Sequence, residues 1–236
     1  MVNQLKAEFY KLRKCSFLYL VFLLMISLGV LYGYFRIIPQ NIKADEIFSN
    51  SISDTSLIFI VAVFALYYLA GDFSNRTIHN EIKMGYSRIS AMISRGIVLF
   101  PFVFLLHISF PITVSVIAGI FNGFENINFS TNLLIPILVV SVQLMAIFSF
   151  LILITFVTQK VISAFAFGIS FIFITCNIIR NFDYPETLQK LYEMSCFNLF
   201  NLSSTVNPVY AILFSLTTLT LVYFIGYLII KKRDII

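Results

Sequence analysis

The chain has 236 residues, of which 59% are apolar and 11% are charged, and its formal net charge is +5. Ordinary soluble domains contain roughly 45–50% apolar and about 25% charged residues. Together with a mean hydropathy of +0.94, this composition leaves too little polar material to cover a water-soluble core. It therefore excludes a soluble domain and predicts an all-α integral membrane protein. The basic residues are confined to short segments, which excludes a nucleic-acid partner.

Residues 2–14 are predicted to form an amphipathic helix at the membrane surface. Val2, Leu5, Phe9 and Leu12 recur at helical spacing, and basic residues occupy the rest of the turn. Such a helix suits the interface of an anionic leaflet, so membrane lipids are expected partners. The alternative is an ordinary positively charged flank with no defined role.

Six apolar stretches are long enough to cross about 30 Å of hydrocarbon as helices. These predicted spans are residues 16–35, 55–71, 96–121, 132–158, 161–179 and 209–230. None contains Asp, Glu, Lys or Arg, whereas ion-coupled carriers keep an ionisable group within the membrane. The sequence therefore indicates an external energy source.

Three prolines and two polar side chains lie inside these predicted spans. Pro101, Pro111 and Pro136 predict kinks rather than breaks, because neighbouring helices can satisfy the freed backbone groups. His107 and Gln143 are the main polar side chains at membrane depth, and we expect them to be hydrogen-bond partners between segments rather than parts of a proton relay.

The basic residues predict the orientation in the membrane. With the N-terminus inside, 12 of the 16 lysines and arginines fall on inner segments. Cytoplasmic segments carry such an excess, so both termini are expected in the cytoplasm of a multi-pass cell-membrane protein, with the 36–54 segment outside.

The connection at 71–96, GDFSNRTIHNEIKMGYSRISAMISRG, is the longest expected on the cytoplasmic side. It predicts a short helix over about 74–84, capped by Ser74 or Asn75 and stopped by Gly85 in the left-handed conformation. Ser87 is then placed to cap the next helix. Phe73, Ile78 and Ile82 give the short helix an apolar stripe outside the membrane, and we expect this stripe to bind a partner protein. Glu81 is expected on a solvated side.

The outer segment at 180–207 is also long. Residues 185–194 are helical in period and are followed by the semi-polar run 198–204. Short re-entrant helices would satisfy both the polarity and the backbone hydrogen bonds. An irregular outer loop is the alternative.

Signatures of catalysis are missing from the sequence. It has no glycine-rich phosphate loop, and with two histidines in the chain it lacks the catalytic sets of intramembrane hydrolases. Cys15, Cys176 and Cys196 are scattered without metal-ligand spacing. We therefore expect neither enzymatic activity nor a metal site nor a bound cofactor.

Three segments, LKAEFYKLRKCSFLYL, DFSNRTIHNEIKMGYSRISAMISRG and LIIKKRDII, resemble the type-2 ABC permease family. The similarity is greatest to bacterial permeases of antimicrobial-peptide immunity, of the lantibiotic- or bacitracin-resistance kind, and to phenol-soluble-modulin exporters. The resemblance implies one permease domain over 1–236, with an elbow helix at 2–14, a coupling loop at 72–95 and paired re-entrant helices within 183–207. Arg76 is a departure, because related loops often carry glycine there.

The resemblance also implies site residues. Those of the coupling helix, which would dock an ATPase, are Phe73, Ser74, Asn75, Arg76, Thr77, Ile78, His79, Glu81, Ile82, Lys83 and Gly85. Those of the elbow helix are Leu5, Lys6, Phe9, Lys11, Leu12 and Arg13.

A permease subunit of an ABC transporter is the function that the resemblance implies. ATP and magnesium would bind to a separate ATPase subunit, and a second permease, identical or a sister chain, would complete the pathway. The expected cargo is an amphipathic or antimicrobial peptide, or another hydrophobic compound, that is exported or expelled. The alternatives are a non-transporting anchor or sensor that docks a cytoplasmic protein, and a channel or carrier that acts without ATP.

Overall fold

The computed structural model describes residues 2–40, 42, 44–123, 133–178, 185, 191–200 and 207–232, and all its regular elements are helices. The helices are α1 Val2–Lys14, α2 Ser16–Gln40, α3 Ala44–Ile52, α4 Ser56–Ser74, α5 Thr77–Lys83, α6 Arg88–Asn122, α7 Leu134–Thr158, α8 Val161–Phe173 and α9 Pro208–Lys232. One π-helical turn, Gly33–Ile37, lies within α2, and another, Ile174–Ile178, extends α8. Helix α1 has the bounds that the sequence predicted.

Five of these helices, α2, α4, α6, α7 and α9, are long and apolar enough to cross a membrane. This confirms a multi-pass helical architecture and five of the six predicted spans by length and composition. The remaining one, predicted at 161–179, corresponds to the shorter apolar helix Val161–Cys176. Its α-helical part has 13 residues, about 20 Å at 1.5 Å per residue, which is short of a bilayer core.

Four spanning helices, α2, α4, α6 and α9, extend past the predicted spans, and α2 continues from the predicted limit at 35 to Gln40. Helix α4 continues from the predicted limit at 71 to Ser74, and α6 begins at Arg88 rather than at 96. With 35 residues, α6 is about 52 Å long. The predicted spans themselves hold no charged residue, but the longer helices that contain them do, with Arg36 inside α2, Asp72 inside α4 and Arg95 inside α6. Their backbones remain helical beyond the point at which the sequence ceases to be apolar.

Helix α3 was not predicted. Ala44, Ile47, Phe48 and Ile52 recur along one side of it and are buried. Helix α3 packs against α6, and His107 Nε2 of α6 donates a hydrogen bond to the carbonyl of Ile52 over 3.0 Å. His107 is thus a hydrogen-bond partner between segments, as predicted.

Gln143 of α7 has the same role at a second segment. Its Nε2 donates to the carbonyl of Asn198 over 3.0 Å, and its Oε1 accepts from the backbone N–H of Phe200 over 2.9 Å. Gln143 lies nine residues, about 13.5 Å, along the helix from Leu134. The segment 195–200 therefore packs well inside the end of α7. The predicted paired helices within 183–207 lie outside the described residues at 183–184, 186–190 and 201–206.

Small residues fix α2 against α6. A Cβ added at Gly29 would lie 2.9 Å from Thr113 Cβ, and one at Gly33 would lie 2.9 Å from Ile117 Cγ2. Glycines four residues apart let two helix backbones approach closely in a membrane. Pro101 and Pro111 lie inside α6 without breaking it, as predicted. Pro136 is in the first turn of α7, where a missing N–H costs little.

Candidate functional site

The connection between α4 and α6 ends in the glycine stop that the sequence predicted. Gly85 has φ +90°. Its N–H donates to the carbonyl of Ile82 over 3.0 Å, and the N–H of Tyr86 donates to the carbonyl of Glu81 over 3.2 Å. These two bonds define a Schellman motif, which needs a left-handed residue and therefore favours glycine. Ser87 caps α6, since its Oγ accepts from the N–H of Ser90 over 3.1 Å, as predicted.

The predicted start of the short helix is wrong. Ser74 belongs to the last turn of α4, and its hydroxyl donates to the carbonyl of Gly71 over 3.0 Å instead of capping α5. The corner lies at Arg76, which precedes α5 with φ +55° and without a side-chain cap. The left-handed backbone conformation is favourable for glycine and unfavourable for most other residues. This geometry explains why glycine suits the position at which this chain has Arg76.

Arg95 lies at the centre of a buried cluster of ionic groups, and none of its side chain is exposed. Its Nε donates to Asp72 Oδ2 over 2.7 Å. Its two terminal nitrogens make a bidentate pair with Glu81, with distances of 3.0 Å and 2.9 Å. One terminal nitrogen also donates to the carbonyl of Ala91 over 3.0 Å, and the other lies 3.1 Å from Glu8 Oε1. Four of the five N–H donors of the guanidinium are therefore hydrogen-bonded, and Glu8 adds an ion pair.

Two further groups complete the surroundings of Arg95. Lys11 Nζ contacts Asp72 and lies 4.4 Å from the centroid of the Tyr68 ring. The Tyr68 hydroxyl donates to Glu8. Partial burial lowers the pKa of Lys11, an effect that the charge of Glu8 opposes. We call Glu8, Lys11, Asp72, Glu81 and Arg95 the Arg95 cluster; its two cations and three carboxylates leave one negative charge in excess.

The Arg95 cluster joins four helices. Glu8 and Lys11 come from α1, Asp72 from α4, Glu81 from α5 and Arg95 from α6. Removing one partner of a buried ion pair typically costs about 3–5 kcal/mol, because the other charge is left without compensation. The short helix α5 is therefore held to the spanning helices by a network that resists separation.

The apolar side of α5 is covered by the chain itself. Ile78 is 1% exposed, and Ile82 is partly buried against the same core. The Phe73 ring, in α4, packs edge-on against Phe156 of α7, with centroids 5.2 Å apart. The expectation that this stripe is open to a partner is therefore wrong for Ile78. The expectation that Glu81 lies on a solvated side is also wrong, because its side chain is 17% exposed and paired with Arg95.

The remaining predicted site residues divide by exposure. Those that are exposed are Lys6, Phe9, Arg13, Ser74, Asn75, Arg76, Lys83 and Gly85. Those that are partly exposed are Leu5, Lys11, Thr77 and His79, and Leu12 is buried.

Sequence reasoning missed four residues of this site, Glu8, Tyr68, Asp72 and Arg95. A usable signal was present for two of them. Asp72 and Arg95 flank the connection as opposite charges, each directly after or before an apolar span. Glu8 had a weaker signal, as the acidic residue within an otherwise basic segment.

The short helix α5 is thus fastened between two long apolar helices of a membrane-type bundle. Residues 4–177 match the sequence profile of the ABC-2 family transporter proteins. The match covers well over half of the chain, and the chain belongs to this family. No curated protein matches the chain.

Proposed function

We propose that the chain is the membrane-spanning permease of an ABC transporter and that α5 is the coupling helix on which a separate ATPase subunit docks. The observation that carries this proposal is the Arg95 cluster. Because Arg95 contacts side chains from α1, α4 and α5, a push on α5 is passed to three other helices. A rigid-body displacement of this kind can switch a transport pathway between two states.

The docking face in this proposal is the exposed side of α5 and its C-terminal end. Asn80, Lys83 and Met84 are exposed, and their spacing of three and four residues places them along one side of the helix. Arg76, at the corner before α5, is exposed as well. Met84 is 75% exposed. Two cations around a flexible apolar side chain fit an acidic groove with an apolar pocket. Phe73 and Ile78 would then support α5 from within the chain.

The rest of the assembly is proposed from the family and from the sequence. ATP and magnesium bind to the ATPase, and a second permease, identical or a sister chain, completes the pathway. Both termini and α5 lie in the cytoplasm of a cell-membrane protein, in keeping with the distribution of basic residues. Helix α8 together with its π-helical extension to Ile178 serves as a sixth, short span. The resemblance to peptide-export permeases supports an amphipathic or hydrophobic peptide as the cargo.

The outer segment is proposed to dip back between the spans. Gln143 binds residues 198 and 200 well inside the end of α7. The Phe197 ring lies 5.7 Å from the rings of both Phe150 and Phe171, which belong to α7 and α8. Phe150 is deeper in α7 than Gln143 by about two turns. These contacts support a re-entrant arrangement of this segment.

Co-purification with the ATPase subunit tests the proposed docking. Met84→Asp removes an apolar contact worth about 1.5–3 kcal/mol, so we expect the affinity for the ATPase to fall roughly tenfold to a hundredfold. Lys83→Glu should also weaken binding, and the loss of affinity should be larger at low salt than at high salt. The matched control is Lys231→Glu at the end of α9, which changes the same charge away from α5 and should leave the affinity unchanged.

Three results would contradict the proposal. ATP hydrolysis by the isolated, contaminant-free chain would show that no separate ATPase is needed. A complex that forms without any change in the ATPase rate or in transport would favour the alternative of a non-transporting anchor. If Met84→Asp and Lys83→Glu both leave the complex intact, docking does not use this face.

A further inference from the structure

We propose that the groove between α1 and α6 is a binding site for an anionic phospholipid, with an acyl chain in the groove and the phosphate held by Lys6 and Arg13. The groove has a volume of about 420 Å³, within the range of roughly 300–1,000 Å³ that is usual for small-molecule sites. The proposal does not depend on the docking of an ATPase.

The walls of the groove are apolar and come from two helices. Leu5 and Phe9 line it from α1, and Ile97, Pro101 and Phe102 line it from α6. The rings of Phe9 and Phe102 approach to 5.6 Å between centroids, which joins the two walls. Phe9 and Ile97 remain about half exposed, at 53% and 48%. An apolar surface of this kind in a membrane protein is suited to a hydrocarbon chain.

The charged rim of the groove is purely cationic. Lys6 and Arg13 both line it and are exposed, and they lie seven residues apart, on the same side of α1 after two turns. Among the residues that the structure describes, neither side chain has an ion-pair partner, and no carboxylate lines the groove. Two uncompensated cations beside an apolar groove are complementary to a phosphate that carries an acyl chain.

The position of α1 places this groove at the membrane surface. Helix α1 is separated from the spanning helix α2 by Cys15 alone, so it cannot leave the interface. Tyr10 lines the same groove and is 65% exposed, and such amphipathic rings favour the headgroup level. A second copy of this chain is a poor occupant, because the same cationic rim on both copies would repel.

Bound lipid would hold α1 in place. The opposite side of α1 carries Gln4, Glu8 and Leu12, which are buried, and Glu8 belongs to the Arg95 cluster. Lipid in the groove contacts α1 and α6 together and so favours the packed position of α1. Occupancy of the groove should therefore stabilise the folded chain.

Native mass spectrometry of the purified full chain, titrated with phosphatidylglycerol or phosphatidylcholine, tests the site. We expect wild-type protein to retain phosphatidylglycerol in preference to phosphatidylcholine. The double variant Lys6→Gln/Arg13→Gln should bind phosphatidylglycerol about tenfold to thirtyfold more weakly, as expected for two basic residues near an anionic headgroup. The control variant Lys14→Gln/Lys231→Gln removes the same charge from residues outside the groove and should bind as wild type does.

A second variant tests the groove independently of charge. Ile97→Trp fills the space between the helices and keeps both cations, so it should lower phosphatidylglycerol binding while the thermal stability of the lipid-free chain stays unchanged. Equal losses in the groove and control charge variants would show general attraction to anionic lipid and overturn the proposal. So would wild-type binding by Ile97→Trp, or a peptide or a second copy of the chain found on this face in place of lipid.

Discussion

The replacement Arg95→Met removes the guanidinium from the centre of the Arg95 cluster and leaves a long, unbranched side chain in its place. Glu81 then loses both of its bonds to Arg95, and Asp72 keeps Lys11 as its remaining cation. Breaking a buried ion pair from one side typically costs about 3–5 kcal/mol. For a chain of this length, 1 kcal/mol corresponds to roughly 2–4 °C in Tm. We therefore expect the Tm to fall by roughly 6–20 °C.

Thermal unfolding of the purified chain in detergent measures this effect, with two control variants. Lys14→Met removes an exposed cation from α1 and should change the Tm by no more than about 2 °C. Arg95→Lys keeps the charge but loses the planar fork that binds Glu81 through two nitrogens, so its Tm should fall between those of the wild type and Arg95→Met.

A double-variant cycle separates the ion pair from a general packing defect. In Arg95→Met/Glu81→Met, the carboxylate that would be stranded is removed together with its partner. The loss of stability should therefore be smaller than the sum of the two single losses by at least about 0.5 kcal/mol. A Tm for Arg95→Met within 2 °C of wild type, or strictly additive losses, would refute the assignment of Arg95 as the centre of this network.

Three further predictions concern other parts of the fold. Gly85→Ala should lose about 1–2 kcal/mol because its φ of +90° suits glycine. Gly71→Ala, inside α4 with no atom near the added Cβ, should gain about 0.5–1 kcal/mol; equal Tm changes would contradict this reasoning. Gln143→Leu should make residues 195–200 more accessible to protease or hydrogen exchange, because backbone groups there lose their hydrogen bonds to Gln143 at a cost of about 1–3 kcal/mol. Unchanged protection of this segment would contradict the prediction. In a cysteine-free background, an impermeant maleimide should label Glu46→Cys in intact cells and Asn80→Cys after permeabilisation, and the reverse pattern would invert the proposed orientation.

Local signals in the sequence were enough for many elements. The bounds of α1, the left-handed stop at Gly85 and the cap at Ser87 each depend on a few neighbouring residues, and each was predicted. Five spans followed from apolar length alone. Helix α3 was missed because its nine residues mix apolar positions with serine, asparagine and acidic residues, and its apolar side is stabilised by packing on α6 rather than by its own composition.

The Arg95 cluster could not be predicted from the same signals. Span prediction stops at the first charge, so Asp72 and Arg95 were assigned to a solvated connection although both helices continue through them. The partners of Arg95 are 14 residues away at Glu81 and 23 residues away at Asp72, and the contact with Glu8 joins α6 to α1. Which charges meet depends on how the helices pack, and periodicity carries no information on that.

The burial of Ile78 changes how α5 can transmit force. An uncovered stripe of isoleucines would let α5 move with a docked partner and slide over the spans, because apolar contacts are not directional. In the structure, Ile78 is packed within the chain, and Glu81 makes two oriented bonds to Arg95. Sliding would break both bonds and leave charges unpaired in a buried site, at a cost of several kcal/mol. Helix α5 is therefore expected to move together with α6. A force applied at the exposed side of α5 would then reach the spanning helices through the contact between Glu81 and Arg95.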